Sequence, residues 1–224
     1  MQFLKRGNNM KTNKEYKDLS IKEFTKAVTD YGTDKAGIYK MCAQDYNPIL
    51  EELKKEPFDT LLDAGCGNGP MLTLLVEEFP DVKFTGLDLT PAMIESAKEK
   101  NLPNTEFVVG DCENMPFAEN SFDVIINSQS YHHYPDPQSF FNSVYSVLKP
   151  GGRLIMRDNT STSKVFLWIA NHIEMPLANL TGHGDVKASS MDEVREYCKK
   201  AGLTIEKLEA QKKFRMHLVA RKEK

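Results

Sequence analysis

Apolar and polar positions along this chain repeat in two periods, one suited to strands and one to helices. The run Phe58 to Leu62 predicts a buried strand, and Met71 to Phe79 carries the spacing of a helix. Val82 to Leu87 predicts the next strand, followed by a helix that starts near Pro91. Strands are expected at Thr105 to Val109 and Phe122 to Ile126, then a helix over Gln138 to Leu148. That helix stops at Lys149-Pro150-Gly151-Gly152, because proline cannot continue it and glycine supplies a left-handed turn. Arg153 to Arg157 is the next strand and Ser190 to Ala201 the next helix, ending at Gly202. Leu203 to Leu208 and Phe214 to Ala220 are two closing strands. Upstream, Asp34 to Lys54 has helical periodicity in Ile38, Met41, Cys42, Ile49, Leu50 and Leu53, and Ser20 to Val28 suggests a shorter helix. Strands that alternate with helices from Phe58 to Leu148 predict an α/β fold with a mainly parallel sheet.

Composition narrows this picture. A chain of 224 residues can bury one sizeable core, and no repeat or low-complexity tract divides it. The net charge is −3 and basic residues are scattered, whereas nucleic-acid binding leaves a basic face; no nucleic-acid partner is expected. The four cysteines, Cys42, Cys66, Cys112 and Cys198, lie far apart without C-x-x-C spacing, which reads as reduced thiols. No apolar run approaches a transmembrane span, and Met1 to Lys17 lacks a signal-peptide core, so a cytoplasmic location is expected.

Chemistry concentrates at the ends of the strands. In Leu61-Leu62-Asp63-Ala64-Gly65-Cys66-Gly67-Asn68-Gly69, glycines allow φ > 0 and let a ligand reach the main chain unhindered by a Cβ. The spacing is D-x-G-x-G-x-G rather than G-x-G-x-x-G, which disfavours a dinucleotide site. Asp88 falls at the carboxyl end of its strand, where two acceptor oxygens suit both hydroxyls of a ribose. Capping the helix at Pro91 is its bland alternative, and Thr90 is better placed for that. After the strand at Thr105 to Val109 comes Gly110-Asp111-Cys112-Glu113-Asn114-Met115, where Asp111 taken alone reads as an Asx-type turn.

In this order the three landmarks resemble the class I S-adenosylmethionine (SAM) dependent methyltransferases. The resemblance spans roughly Leu61 to Ala220. Ser121 to Ile126, Tyr131-His132-His133 with Pro135-Asp136-Pro137, and Leu148 to Gly152 are similar to its small-molecule branch, which includes ubiquinone and menaquinone biosynthesis methyltransferases. The resemblance implies a Rossmann-like three-layer sandwich, whose seven-stranded, mainly parallel sheet has an antiparallel last strand. It implies SAM as cofactor and S-adenosylhomocysteine as product. By the same resemblance, Gly65, Cys66, Gly67 and Gly69 approach the methionine end and Asp63 anchors the loop. Asp88 holds the ribose, Asp111 and Cys112 the adenine, with Leu89 and Met115 on its two faces. Asn127 and Ser128, where the fourth strand ends, complete the cofactor contacts.

Methyl transfer is an in-line displacement from an activated donor, so the protein must align the reactants and exclude water. A base is needed only where the acceptor loses a proton; His133 and His132 are the candidates, with packing against the sheet as the alternative. A metal on His132, His133 and His183 is a further alternative, and none is expected. Asn127 to Ser130 lacks the N-P-P-Y type sequence of amino-methylating DNA enzymes. Residues 1–56 are expected to form a helical lid and residues 57–224 the methyltransferase domain, with a substrate cap inserted near 159–188. Tyr31 and Tyr39 in the lid, and Trp168 and His183 in the cap, are the substrate-binding candidates. The apolar cap suits a small acceptor, a homodimer contact or a membrane-borne substrate equally. The expected function is methylation of a small metabolic acceptor. Protein or RNA methylation, or a non-catalytic SAM-binding regulatory module, are the alternatives.

Overall fold

The computed structural model describes residues 11–28, 43–211 and 214–224. Its elements follow in chain order: α1 (Asn13–Ala27), α2 (Tyr46–Leu53), β1 (Thr60–Ala64), α3 (Pro70–Glu78), β2 (Lys83–Asp88), α4 (Pro91–Glu99) and β3 (Thr105–Val109). β4 (Phe122–Ser128), α5 (Pro137–Val147) and β5 (Leu148–Asn159) come next. The segment after β5 then forms α6 (Lys164–Ile169), a π-helical turn (Ala170–Glu174) and α7 (Met175–Leu180). α8 (Met191–Ala201), β6 (Leu203–Gln211) and β7 (Arg215–Lys222) close the chain.

The seven strands form one sheet in the order β3-β2-β1-β4-β5-β7-β6. β1 to β5 are parallel, and β7 runs antiparallel to both β5 and β6. This is the Rossmann-like architecture that the alternating pattern and the resemblance predict. Side chains of a strand alternate between faces, so each central strand feeds two cores. Leu61, Val124, Ile126 and Ile155 pack on one side with Ile49 and Leu53 of α2, Leu72 of α3 and Ile94 of α4. Leu62, Ile125, Leu154 and Met156 pack on the other with Phe140 and Phe141 of α5 and Val194 of α8. The sheet is therefore the middle of three layers.

The structure departs from the predicted pattern in three places. The first helix starts at Asn13 rather than Ser20 because Thr12 and Glu15 form a capping box: Thr12 Oγ1 accepts from the Glu15 amide, and the Glu15 carboxylate accepts from the Thr12 amide at 2.6 Å. Its polar face hid it from a search for apolar periodicity. The periodicity over Asp34 to Lys54 materialises as the short α2, while Ile38, Met41 and Cys42 lie outside the described residues. Asp45 stands at its start, fully buried, with its carboxylate taken by Arg157 (2.8 Å) and Arg215 (3.2 Å) from the sheet. Finally, α5 ends at Val147 as proline and glycine dictate, but β5 begins at once. It runs through Gly151 (φ +84°), with an irregular register against β4 between Phe122 and Val124.

The segment from α6 to α7 exposes much of its apolar surface. Val165, Phe166, Trp168, Leu177 and Leu180 are all more than half exposed. No helix among the described residues is long and apolar enough to cross a membrane.

Candidate functional site

The strand order reverses between β1 and β4, and the loops at the carboxyl ends of these strands leave a crevice there. The glycine loop leaves β1 with its first amides tied to the neighbouring strand: Gly65 and Cys66 both donate to the Leu87 carbonyl, at 2.8 and 3.0 Å. Gly65, Gly67 and Gly69 all have left-handed φ (+81°, +55° and +77°). Gly69 is also the N-cap of α3, so one tight turn leads from strand to helix. A Cβ at Gly65 would lie 1.9 Å from Ser130 Oγ, which shows how closely the loop after β4 covers this one.

Asp88 ends β2 and reaches back to the loop. Its Oδ2 accepts from the Gly67 amide at 2.9 Å and its Oδ1 from the Thr90 amide at 2.8 Å. Each oxygen keeps a lone pair for a ligand hydroxyl. Thr90 is the N-cap of α4 by position but makes no side-chain cap bond, so Asp88 serves the helix start and remains open to a ligand. Burial raises the Asp88 pKa against the pull of these two amides. Asp63, in β1 just behind, is pushed up to about 7 by burial and then by the charge of Asp88.

Asp111 makes the turn expected of it alone and, in addition, an ion pair to α1. Its Oδ1 accepts from the Glu113 amide at 2.9 Å, an Asx-type turn, while Oδ2 meets Lys17 Nζ of α1 at 2.6 Å. Lys17 also pairs with Glu113. Burial would lower the Lys17 pKa, but the two carboxylates outweigh it and raise it.

One cavity of about 600 Å³, its open mouth included, joins these parts. Gly65, Gly67, Asp88, Leu89, Asp111 and Cys112 line one side. Gln129, Ser130, His133 and Tyr134 from the loop after β4 line the other, and Lys17, Ser20 and Phe24 of α1 close over it. Asp63, Cys66, Gly69, Met115, Asn127, Ser128 and His132 are not in its wall. Cys66 and Met115 are buried in the cores, and burial raises the Cys66 thiol pKa strongly. Asn127 is fully buried and donates from Nδ2 to the Ala64 carbonyl (2.7 Å) and to Tyr134 Oη (3.1 Å), which ties β4 to β1 beneath the cavity floor. Ser128 Oγ is buried without a hydrogen-bond partner among the described residues.

The two histidines form a 3-10 turn, Tyr131–His133, directly after that loop. Their rings lie 4.2 Å apart, centre to centre. His132 Nδ1 is 2.8 Å from Oδ1 of Asp158, which is fully buried at the end of β5. Burial opposes the imidazolium of His132, but the charge and hydrogen bond of Asp158 win and raise its pKa. His133 faces the cavity and meets Phe24 edge-on at 5.1 Å. Burial, and then the charge of His132, push its pKa down to about 4. Asp185 joins the pair: its Oδ1 lies 3.5 Å from His132 Nε2 and 3.6 Å from His133 Nδ1.

Of the substrate candidates, His183 is bound to Glu23 of α1 at 2.6 Å, and Trp168 is exposed, stacked on His172 with ring centres 4.9 Å apart. Neither lines the cavity. Tyr31 and Tyr39 lie outside the described residues. Sequence reasoning missed Lys17, Phe24, Tyr134, Asp158 and Asp185, while Gln129 and Ser130 lie in the loop after the fourth strand where the chemistry is expected. Tyr134 immediately follows the histidines and Asp185 belongs to the Gly182-His183-Gly184-Asp185 loop, so both had a local signal; Lys17 had none.

A glycine cradle with acidic residues at the ends of β2 and β3, set at the switch point of a Rossmann-like sheet, defines a nucleoside-cofactor-binding α/β domain. A methyltransferase domain family matches residues 55–220, and the chain belongs to that family as a class I SAM-dependent methyltransferase domain. The phthiotriol/phenolphthiotriol dimycocerosates methyltransferase of Mycobacterium leprae is 38% identical over 122 residues, which cover 54% of this chain and 45% of that protein. The fatty-acid O-methyltransferase of Mycolicibacterium smegmatis is 33% identical over 122 residues, 54% of this chain and 44% of that protein. The match thus spans less than half the length of these relatives. A chain of the Haloferax volcanii complex between the Trm112 methyltransferase activator and a methyltransferase shares the fold, with a TM-score of 0.72 at 22% identity over 90% of this chain and 98% of that one.

Proposed function

We propose that this protein transfers a methyl group from SAM to an oxygen of a small, apolar, lipid-like acceptor. The observation that carries the reading is one continuous cavity, lined from Asp88 and Asp111 past Gly65 to His133. Its residues fit the cofactor. Gly65 and Gly67 offer bare left-handed backbone, and Asp88 keeps acceptor capacity after binding two amides. The bound cofactor supplies a methyl group already activated on a sulfonium sulfur.

The chain's own residues do the rest. Gly65 and Gly67 lie along the methionine part, over the Asp63 anchor, and Asp88 takes the ribose hydroxyls. Asp111 and the Cys112 amide take the adenine edge, with Leu89 against the ring; Met115 and Asn127 hold these contacts from behind. Ser130, Tyr134 and Phe24 exclude water. His133 receives the acceptor proton, with Asp185 close by and His132 oriented by Asp158.

The acceptor class follows the names of the curated relatives, one of which is a fatty-acid O-methyltransferase, rather than the quinone branch that the motifs resemble. It is also supported by the exposed apolar run from Val165 to Leu180, which leads along the chain into the loop that carries Asp185.

Calorimetric titration with SAM, S-adenosylhomocysteine and NAD tests the cofactor. Binding of the two sulfur ligands without NAD is expected, and failure of both would overturn the reading. Incubation with SAM and a panel of fatty acids and long-chain alcohols, read by mass spectrometry, tests the acceptor. With a long-chain alcohol as acceptor, His133→Ala should lower turnover roughly 10²–10⁴-fold while leaving S-adenosylhomocysteine affinity nearly unchanged.

A further inference from the structure

The histidine pair is built for more than a proton. We infer that His132 Nε2, His133 Nδ1 and Asp185 Oδ1 form a binding site for one divalent transition ion of the zinc class. His132, His133 and Asp185 each offer one ligand atom, and these atoms lie within 4.8 Å of one another. Zinc bonds of about 2.0–2.2 Å to nitrogen and carboxylate oxygen place tetrahedral neighbours roughly 3.3–3.6 Å apart. The two contacts to Asp185, 3.5 and 3.6 Å, already have that spacing.

The surroundings position each donor. His132 gives Nδ1 to the buried Asp158 at 2.8 Å, so the Nδ1–H tautomer leaves the Nε2 lone pair aimed at Asp185. A carboxylate behind a ligating histidine is the usual outer-shell arrangement, fixing the ring and raising its basicity. His133 Nδ1 is buried and has no hydrogen-bond partner among the described residues, which leaves its lone pair unspent. Asp185 is fixed from both sides. The next two amides, Val186 and Lys187, donate to the His132 carbonyl at 2.9 and 3.2 Å, and Asn179 Nδ2 donates to the Asp185 carbonyl at 2.8 Å. The chelate therefore joins two segments that the backbone already binds together. Two nitrogens and one carboxylate suit zinc and its neighbours better than magnesium or calcium, and three protein ligands leave an open coordination position. His133 also lines the cavity, so that position is within reach of it.

One consequence rests on the methyl-transfer reading. An ion here takes the lone pairs that an acceptor proton would need, so loading the site silences the base.

The site is tested by stripping the protein with a chelator and titrating it with Co²⁺ while following visible absorption. One equivalent should saturate a ligand-field band, and Zn²⁺ should abolish it. Asp185→Asn, a conservative change at a partly exposed position, should weaken Co²⁺ binding at least tenfold. His183→Ala, whose ring serves Glu23 instead, should bind as the parent does. No saturable band in the parent protein, or equal binding by parent and Asp185→Asn, overturns the inference. S-adenosylhomocysteine titrated into the same samples keeps the two readings apart. Metal binding without cofactor binding would leave this site standing and remove the proposed function.

Discussion

Asp88 does three things with one carboxylate: it fastens the glycine loop, starts α4 and, in the proposed function, holds a ribose. Asp88→Ala should therefore weaken S-adenosylhomocysteine binding by more than the roughly tenfold expected of one lost hydrogen bond to a charged group, as calorimetry can show. Asp63 gives the pH test. Its pKa of about 7 in the fold lies above the ordinary aspartate value, so between these values the native state holds a proton that the unfolded chain has released. Its contribution is full at low pH and is lost as pH rises towards 7, with a slope of at most about 1.4 kcal/mol per pH unit. Urea midpoints of the parent and Asp63→Asn across pH 4 to 8 should differ by this slope; parallel curves would refute the shift. At this scale the sequence was legible where chemistry is local. The spacing of Gly65, Gly67, Asp88 and Asp111 brings them to one cavity, because they follow or close the carboxyl ends of β1, β2 and β3. Asn127 and Ser128 share such an end but turn into the sheet, where the Ala64 carbonyl claims Asn127. Asp158 could not be read, since it meets His132 only across 26 residues of chain.

Among elements, α1 is the piece that closes the cavity, and Lys17 is its latch on the carboxylate assigned to adenine. Lys17→Ala should accelerate cofactor association several-fold in stopped-flow measurements, because opening no longer breaks ion pairs to Asp111 and Glu113. An unchanged rate would mean that the helix does not limit entry. The helices of the sheet domain were legible to within a residue or two, since proline and glycine punctuate them and apolar periodicity marks their buried faces. α1 was legible only in part. Its length is decided by a capping box and its docking by polar contacts, such as Glu23 with His183 and with the Gly184 amide, which leave no apolar signature.

For the whole molecule, the order β3-β2-β1-β4-β5-β7-β6 brings five parallel strand ends to one edge, so cofactor and acceptor contacts can converge from distant parts of the chain. The core beneath that edge is aromatic: Phe140 is fully buried, with ring centres 5.7 Å from Tyr131 and 5.1 Å from Tyr134. Phe140→Ala should cost about 3–5 kcal/mol in urea unfolding. It should also weaken cofactor binding, since Tyr134 would lose its support; a purely global loss would argue that wall and core are independent.

The exposure of Trp168 has a practical consequence. It is the only indole in the chain, 55% exposed on the outer face of α6 and stacked on His172. Intrinsic emission excited at the red edge therefore reports that outer face and little else. A small molecule seated in the crevice would leave the spectrum largely silent, whereas anything that covers the segment from α6 to α7 would shift it to the blue. The molecule thus carries its own optical label on its greasiest surface, and a fluorimeter alone can separate events there from events at the strand ends.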